Sequence, residues 1–285
     1  MTSLRRRGLL VMLVGLLTAG CAVHDVARPS LPRTVAVLAG ARSPALHRQV
    51  VSWWQDGVRR EYVEVAPLST GPLPLVVVLH GRRQTPARAE RSQGWDALVR
   101  DQHVLVAYGA GYGGSWDAGR CCGVAAARRL DDVAYVLQVL RRAEARHVVD
   151  RDHVYLVGFS NGGMLAYRFA CAHTRAISAL AVVAGALEVP ACRPQRPLAV
   201  LHVAGDRDRI VPFAGSAYSR VAGAPTTSVP ASLAPWRRVD AGTGEPVDLV
   251  RLRRLGHDWP TRRDCGVNGT ALIWGFLAAH PAVAA

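Results

Sequence analysis

The chain has 285 residues, half of them hydrophobic, so it is long enough for one large domain with a sizeable core. Its formal net charge is +14, and all 35 basic residues are arginine. These arginines are scattered along the chain, and no nucleic-acid-binding motif accompanies them. We therefore interpret the charge as a general property of the surface and expect no nucleic-acid partner.

The N-terminus has the pattern of an export signal. Three arginines at 5–7 precede an apolar run at 9–17, and small residues then lead to Cys21. The run is too short for a comfortable membrane span. The ending "LTAGC" resembles a bacterial lipoprotein box, although a plain secretory signal remains an alternative. We predict a signal peptide with lipobox over 1–21, an extracellular or cell-envelope location, and membrane contact only through a lipid on Cys21.

The rest of the chain divides into a short tether and one domain. Residues 22–45 contain prolines and no clear periodicity, which predicts a flexible tether, with a possible short strand at 35–38. Residues 46–285 are predicted to form a single catalytic domain. That domain starts with two strands, at 49–54 and 58–65, around a turn that ends in Asp-Gly.

The following elements alternate between buried strands and helices. Continuous apolar runs predict strands at 74–81, 103–110, 154–157, 179–186 and 198–205, and an alternating run predicts a strand near the sheet edge at 247–255. Helices are predicted at 131–147, with Asp131 or Asp132 near the cap, and at 164–170 and 268–279. A loop with a short cap-like segment is predicted at 214–246. This order predicts an α/β fold with a mainly parallel sheet, helices on both faces and a minimal cap.

One strand-to-helix junction carries a serine between glycines. In "VYLVGFSNGGMLAYRFA", residues 154–170, Ser160 lies between Gly158 and Gly162. A serine on so tight a turn has a strained backbone, and its neighbours must lack side chains that would collide with the strand or the helix. The junction is therefore typical of a nucleophile elbow. The pattern G-x-S-x-G is weak evidence by itself, so partner residues must decide.

A serine nucleophile needs a histidine base and a carboxylate that orients it. In the α/β-hydrolase order these follow the serine, each at the carboxyl end of a strand. The run "GDRDRIVP" supplies Asp208 at the acid position of G-x-x-D-x-x-V-P, with Asp206 as the alternative. The run "GHDWP" supplies His257 after the last strand. We expect Ser160, His257 and Asp208 to form the triad.

An oxyanion formed at Ser160 needs two backbone N–H donors. One is expected from Asn161, directly after the nucleophile. The other is expected from Arg82, in the loop "HGRRQ" after the first buried strand, where His80 could brace the loop. Trp116 and Trp259 flank these segments and are candidates for the substrate pocket.

Several of these motifs together resemble one group of exported α/β-hydrolases. "LHGRRQT", "SWDAGRCCG", "VYLVGFSNGGMLAYRFAC", "GDRDRIVP" and "GHDWP" are similar to the polyhydroxybutyrate depolymerase and feruloyl esterase-like family, in particular its LpqC-like lipoprotein branch. The resemblance covers roughly residues 58–281. It implies hydrolysis of carboxylic esters without metal or cofactor, and it carries over Ser160, Asp208, His257, Arg82 and Asn161.

The resemblance leaves the substrate open. Short-chain, hydroxyalkanoate and aromatic feruloyl-type esters all fit, as small molecules or oligomers. The alternatives are a polyhydroxybutyrate depolymerase proper, a serine peptidase, and a catalytically silent binding lipoprotein. The chain departs from the family at Arg82, where a small residue or cysteine is common, and after Trp259, where glycines usually follow.

Five cysteines lie beyond Cys21, and an exported protein favours their oxidation. Cys171 lies in the helix after Ser160, and Cys192 follows the next strand, so we expect these two to pair. Cys121 or Cys122 could pair with Cys265, or these thiols could stay free. No cysteine spacing suits a zinc site.

Overall fold

The computed structural model describes residues 23–24, 46–219 and 224–282. In this part of the chain the strands are β1 (Val23–His24), β2 (Leu46–Gln55), β3 (Val58–Pro67), β4 (Leu73–Leu79), β5 (Leu105–Gly109), β6 (Val149–Phe159), β7 (Ala179–Val183), β8 (Ala199–Gly205), β9 (Ser216–Ser219), β10 (Ala224–Thr226) and β11 (Val247–Leu252). The helices are α1 (Pro86–Gln93), α2 (Asp96–Gln102), α3 (Val124–Ala127), α4 (Asp132–Glu144), α5 (Asn161–Ala172), α6 (Val229–Asp240), α7 (Arg262–Cys265) and α8 (Gly269–Leu277). The predicted signal peptide and Cys21 lie outside the described residues.

Most strands form one mixed sheet in the order β1-β11-β8-β7-β6-β4-β5-β3-β2. The strands from β11 to β5 are parallel, whereas β1, β2 and β3 pair antiparallel with their neighbours. The mainly parallel sheet predicted from the sequence is therefore confirmed. Because the carboxyl ends of parallel strands meet at one edge, the loops after β4, β6, β8 and β11 lie together.

Helices cover both faces of the sheet and produce two cores. Side chains of α4, α5 and α6 pack on one face, and those of α1, α2 and α8 on the other. Successive residues of a central strand serve both cores, as with Val77 in the first and Val76 and Val78 in the second. Burial on both faces explains why the central strands read as continuous apolar runs.

The hairpin at the start of the domain forms at the predicted turn. Asp56 and Gly57 have φ values of 52° and 69°, and Gln55 pairs with Val58 across the turn. Positive φ at both central residues is the geometry of a type I′ turn, whose twist matches that of the flanking strands. The Asp-Gly pair thus sets the register of β2 against β3.

Two expectations need correction. The stretch 214–246 was predicted as loop and cap-like segment, but it contains helix α6 and the hairpin β9–β10. The prolines that suggested a loop are accommodated in α6, one of them at its start, where the Ser228 side chain accepts from the Ala231 N–H. The tether over 22–45 was predicted to be flexible, but Val23–His24 within it forms a short strand that pairs with β11. The possible strand at 35–38 lies outside the described residues.

Candidate active site

Ser160 occupies the junction between β6 and α5. Its backbone has φ 52° and ψ −120°, a conformation that non-glycine residues rarely adopt and that often marks a functional site. A Cβ on Gly158 would collide with the Gly162 carbonyl, and a Cβ on Gly162 would collide with the Leu79 carbonyl at the end of β4. Both positions therefore need glycine, because the turn is pressed against the neighbouring strand.

Three predicted residues meet at the strand ends. The His257 Nε2 lies 2.7 Å from the Ser160 Oγ, and the His257 Nδ1 lies 2.8 Å from Asp208 Oδ2. A carboxylate only accepts, so Nδ1 carries the proton and Nε2 accepts from the serine hydroxyl. The structure thus joins these side chains in one chain of hydrogen bonds.

The other oxygen of Asp208 is also occupied. Its Oδ1 accepts from the backbone N–H groups of Ile210 and Val211, each at 2.8 Å. These two bonds fix the carboxylate plane toward His257. Asp206, the alternative acid, instead accepts from the Arg254 backbone N–H, so the geometry favours Asp208.

The two segments that carry the predicted oxyanion donors both adjoin the serine. A Cβ on Gly81 would come within 2.8 Å of the Phe159 ring and 3.4 Å of the Ser160 Cβ, so the loop carrying Arg82 lies directly against the elbow. Asn161 begins α5, where N–H groups have no partner within the helix. In the described part of the chain, neither the Arg82 nor the Asn161 backbone N–H donates to an acceptor.

His80 braces the loop that carries Arg82. Its Nδ1 bonds the Gly81 carbonyl at 2.8 Å, and its Nε2 accepts from the Gly111 N–H at 3.0 Å. Burial lowers the pKa of His80 to about 4, so the ring stays neutral near pH 7 and keeps its acceptor nitrogen. His80 thereby links the loop after β4 to the loop after β5.

Trp116 and Trp259 were predicted as candidates for the substrate pocket, but neither lines the cleft beside Ser160. Trp116 is fully buried, and its Nε1 donates to the His80 carbonyl at 2.8 Å. Its backbone is clamped by the Asn161 side-chain amide, which accepts from the Trp116 N–H at 2.8 Å and donates to its carbonyl at 3.1 Å. Trp259 is buried against Phe159, and its Nε1 bonds Thr270 at 3.2 Å. The indole N–H groups of both tryptophans are hydrogen-bonded inside the protein, so these side chains support the segments around the site.

The cleft beside the serine has a wall that the sequence did not reveal. Its lining residues are Arg82, Cys121, Cys122, Ser160, Asn161, Met164, Ile210, Val211, Ser219 and Thr226. These lining residues come from segments that are distant in sequence: the segment of Cys121 and Cys122, the loop after β8, and the β9–β10 hairpin. No spacing motif links them, so sequence reasoning had no means to assemble this wall.

The structure joins Cys121 to the adjacent Cys122 and Cys171 to Cys192. The second pair is the expected one, with its sulfur atoms 2.06 Å apart. The suggested pairing of Cys121 or Cys122 with Cys265 is wrong. Cys265 is a buried free thiol in the core on the opposite face of the sheet.

A buried ionic network supports the wall. Asp132 pairs with Arg60 on β3, and both side chains are fully buried. The second oxygen of Asp132 accepts from the Asp117 N–H at 2.6 Å, and the Asp117 side chain pairs with Arg168 on α5 at 2.6 Å. Burial raises the pKa of Asp132, which the nearby Arg60 opposes. The sequence had suggested Asp132 only as a candidate helix cap.

Comparison with known proteins identifies relatives among esterases. No family model matches the chain. It is 32% identical over 232 residues to "Putative esterase NocK" of Nocardia uniformis subsp. tsuyamanensis, covering 75% of this chain and 67% of NocK. It is 28% identical to a bifunctional acetylxylan esterase/xylanase, XynS20E of Neocallimastix patriciarum, covering 56% of this chain but only 23% of that larger protein.

Solved structures give the fold. The acetyl xylan esterase of Aspergillus awamori superposes with a TM-score of 0.57 at 12% identity, over 80% of this chain and 99% of that one. LpqC of Bordetella parapertussis, described as a poly(3-hydroxybutyrate) depolymerase, superposes with a TM-score of 0.53 at 20% identity, over 75% of this chain and 85% of that one. The predicted α/β-hydrolase fold is confirmed. The similarity to NocK and this fold together show that the chain belongs to the NocK-like family of α/β-hydrolase esterases.

Proposed function

We propose that the protein is a serine-dependent carboxylic ester hydrolase whose catalytic triad is Ser160, His257 and Asp208. The observation that carries this proposal is the continuous hydrogen-bond chain from Ser160 through His257 to Asp208, with distances of 2.7 and 2.8 Å. The strained serine backbone at the head of α5 supports it further. Membership in an esterase family is consistent with the same chemistry.

The geometry suggests the following sequence of steps. His257 Nε2 accepts the proton of Ser160 while Oγ attacks the ester carbonyl and forms a tetrahedral oxyanion. The N–H groups of Arg82 and Asn161 donate to that oxyanion. The intermediate collapses, and the departing alkoxide takes the proton from His257. Water then attacks the acyl-enzyme with His257 as base, which releases the acid and restores the serine.

The cleft beside Ser160 is small and its lining is largely apolar, which together favour short apolar acyl groups. Met164, Ile210, Val211 and the Cys121–Cys122 disulfide supply apolar surface beside the serine. We therefore propose short-chain esters first, with hydroxyalkanoate and aromatic acyl groups as the wider range. The names of the relatives, which include acetylxylan esterase and feruloyl esterase, agree with this class.

We also propose that the protein is exported and anchored by a lipid on Cys21. The supporting observation is the arginine, apolar and small-residue pattern of residues 1–21. Metabolic labelling with palmitate in a bacterial host should mark the protein, and Cys21→Ala should remove the label. Equal labelling of both proteins would contradict the anchor.

Hydrolysis of p-nitrophenyl acetate, butyrate and octanoate tests the proposed activity. We expect turnover by the wild type to fall with acyl length, and Ser160→Ala to lower kcat by roughly 10³-fold or more. The Ser178→Ala variant is a control, since Ser178 is buried and bonds the Val154 N–H on the same strand as the elbow. Equal activity of Ser160→Ala and wild type would reject the proposal.

A further inference from the structure

The side chain of Arg82 belongs to the cleft that holds Ser160. Arg82 is partly buried and lines the cleft together with the disulfide Cys121–Cys122. Its Cδ lies 3.6 Å from the position that a Cβ on Gly123 would occupy, so the chain runs along the disulfide segment. Arg82 and Ser160 therefore line the same cleft, and the Arg82 side chain passes the disulfide segment there.

Within the described part of the chain, the Arg82 side chain has no partner for its charge. Arg60, which is fully buried, pairs with Asp132, and Arg168, which is partly buried like Arg82, pairs with Asp117. Arg196 donates to two backbone carbonyls. By contrast, no described residue gives the Arg82 guanidinium a hydrogen bond, an ion pair or an aromatic face. A partly desolvated cation without a counter-charge is costly, so a bound anion would stabilise it.

The other described residues that line the cleft supply no competing charge. The other nine lining residues are uncharged cysteine, serine, asparagine, methionine, isoleucine, valine and threonine side chains. Asp208 is engaged by His257 and by two backbone N–H groups. A single guanidinium suits a singly charged planar anion better than a dianion, and among the described residues Arg82 is the one cation in the lining.

Resting on the proposed esterase function, we propose that Arg82 is a specificity-determining residue that selects esters bearing a free carboxylate near the reacting carbonyl. The guanidinium donates to the substrate carboxylate while the Arg82 backbone N–H serves the oxyanion. The carboxylate belongs either to the acyl part or to the alcohol part of the ester. Both positions present the same chemistry to Arg82, and the substrates below distinguish them.

Two matched substrate pairs test the selection. For the acyl side the pair is p-nitrophenyl hydrogen glutarate and its neutral methyl ester; for the alcohol side it is 4-acetoxybenzoate and 4-acetoxybenzamide. The measured quantity is the ratio of kcat/KM for the charged and the neutral member. We expect a ratio above one in the wild type for one pair. Because a hydrogen bond to a charged group is lost, Arg82→Gln should lower that ratio by about 10- to 100-fold.

Controls separate this effect from damage to the site. Arg82→Lys should retain part of the preference, and added salt should reduce it in the wild type. Arg209→Gln removes an exposed positive charge outside the cleft lining and should leave the ratio unchanged. A wild-type ratio of one or less for both pairs, or no change in Arg82→Gln, would overturn the inference. Failure of the wild type to hydrolyse any of the four esters would instead reject the proposed function.

Discussion

The two sides of the cleft are built in different ways. On one side, Ser160, Asp208 and His257 each follow a parallel strand, namely β6, β8 and β11. On the other, the wall formed by Arg82 and the disulfide segment consists of loops that depend on buried polar contacts. The strand ends are brought together by the sheet itself, whereas the loops need His80, Asn161 and the Asp132 network to hold them.

This difference explains what could be read from the sequence. Glycines around Ser160 and polar residues after apolar strands are local patterns, and the parallel sheet converts them into proximity. The three proposed triad residues and the mainly parallel sheet were therefore accessible to sequence reasoning. The turn of β2 and β3 was also accessible, because Asp56-Gly57 specifies its own geometry.

The wall formed by Arg82 and the disulfide segment could not be predicted from the sequence, because it depends on contacts between distant segments. Trp116 looked like a pocket residue, but its indole N–H bonds the His80 carbonyl. Asp132 looked like a candidate cap, but it binds Arg60, which is 72 residues away in sequence. The prolines of α6 suggested a loop, and only burial of Leu233 and Trp236 shows why a helix forms there. Tertiary packing overrides local propensity at such positions.

The largest effect is expected on the strand-end side, at Asp208. Asp208→Asn keeps the size of the side chain but removes the charge that holds the His257 tautomer. We expect kcat for p-nitrophenyl acetate to fall by roughly 10⁴-fold, with KM little changed. Asp206→Asn serves as the matched control and should stay within about threefold of wild type. A larger loss of kcat in Asp206→Asn than in Asp208→Asn would show that Asp206, and not Asp208, is the acid of the triad.

The next largest effect is expected in the buried network of the opposite wall. Asp132→Ala leaves Arg60 as an unpaired charge that is fully buried. Urea denaturation should show a loss of about 3–5 kcal/mol in the free energy of unfolding. The exposed pair of Arg151 and Glu144 offers a control, and Glu144→Ala should cost less than about 1 kcal/mol. Equal losses in the two variants would show that burial of the network does not matter.

The two disulfides should separate stability from activity. Cys171–Cys192 closes a loop with a sequence separation of 21 and does not line the cleft. Replacing both residues by alanine should lower the free energy of unfolding by about 3 kcal/mol and leave kcat/KM unchanged at a temperature where the protein is folded.

The double alanine variant at Cys121 and Cys122 should behave in the opposite way. These residues line the cleft, so we expect kcat/KM to change by about tenfold with a different preference for acyl length. The closed loop is minimal, so the effect on the unfolding free energy should be the smaller of the two. If this variant lost stability without any change in acyl preference, the Cys121–Cys122 disulfide would not shape the substrate cleft.

The smallest effect concerns pH. Burial lowers the pKa of His80 from 6.5 to about 4 and that of His202 to about 3, so both bind protons more readily in the unfolded chain. Their contribution to stability is present above pH 6.5 and is lost as the pH falls toward 4. At pH 6 each should cost about 0.8 kcal/mol in the free energy of unfolding. His80→Asn should flatten this slope, and an unchanged slope would exclude His80 as a cause.

Covalent labelling with a fluorophosphonate tests the central claim most directly, because such a probe reacts with an activated serine and does not depend on the natural substrate. The folded protein should take up one phosphonyl group per chain, and mass spectrometry of peptides should locate it on Ser160. His257→Ala should react far more slowly, since the hydroxyl then lacks its base. Labelling of another serine, or ester hydrolysis by a protein whose Ser160 stays unlabelled, would contradict the account.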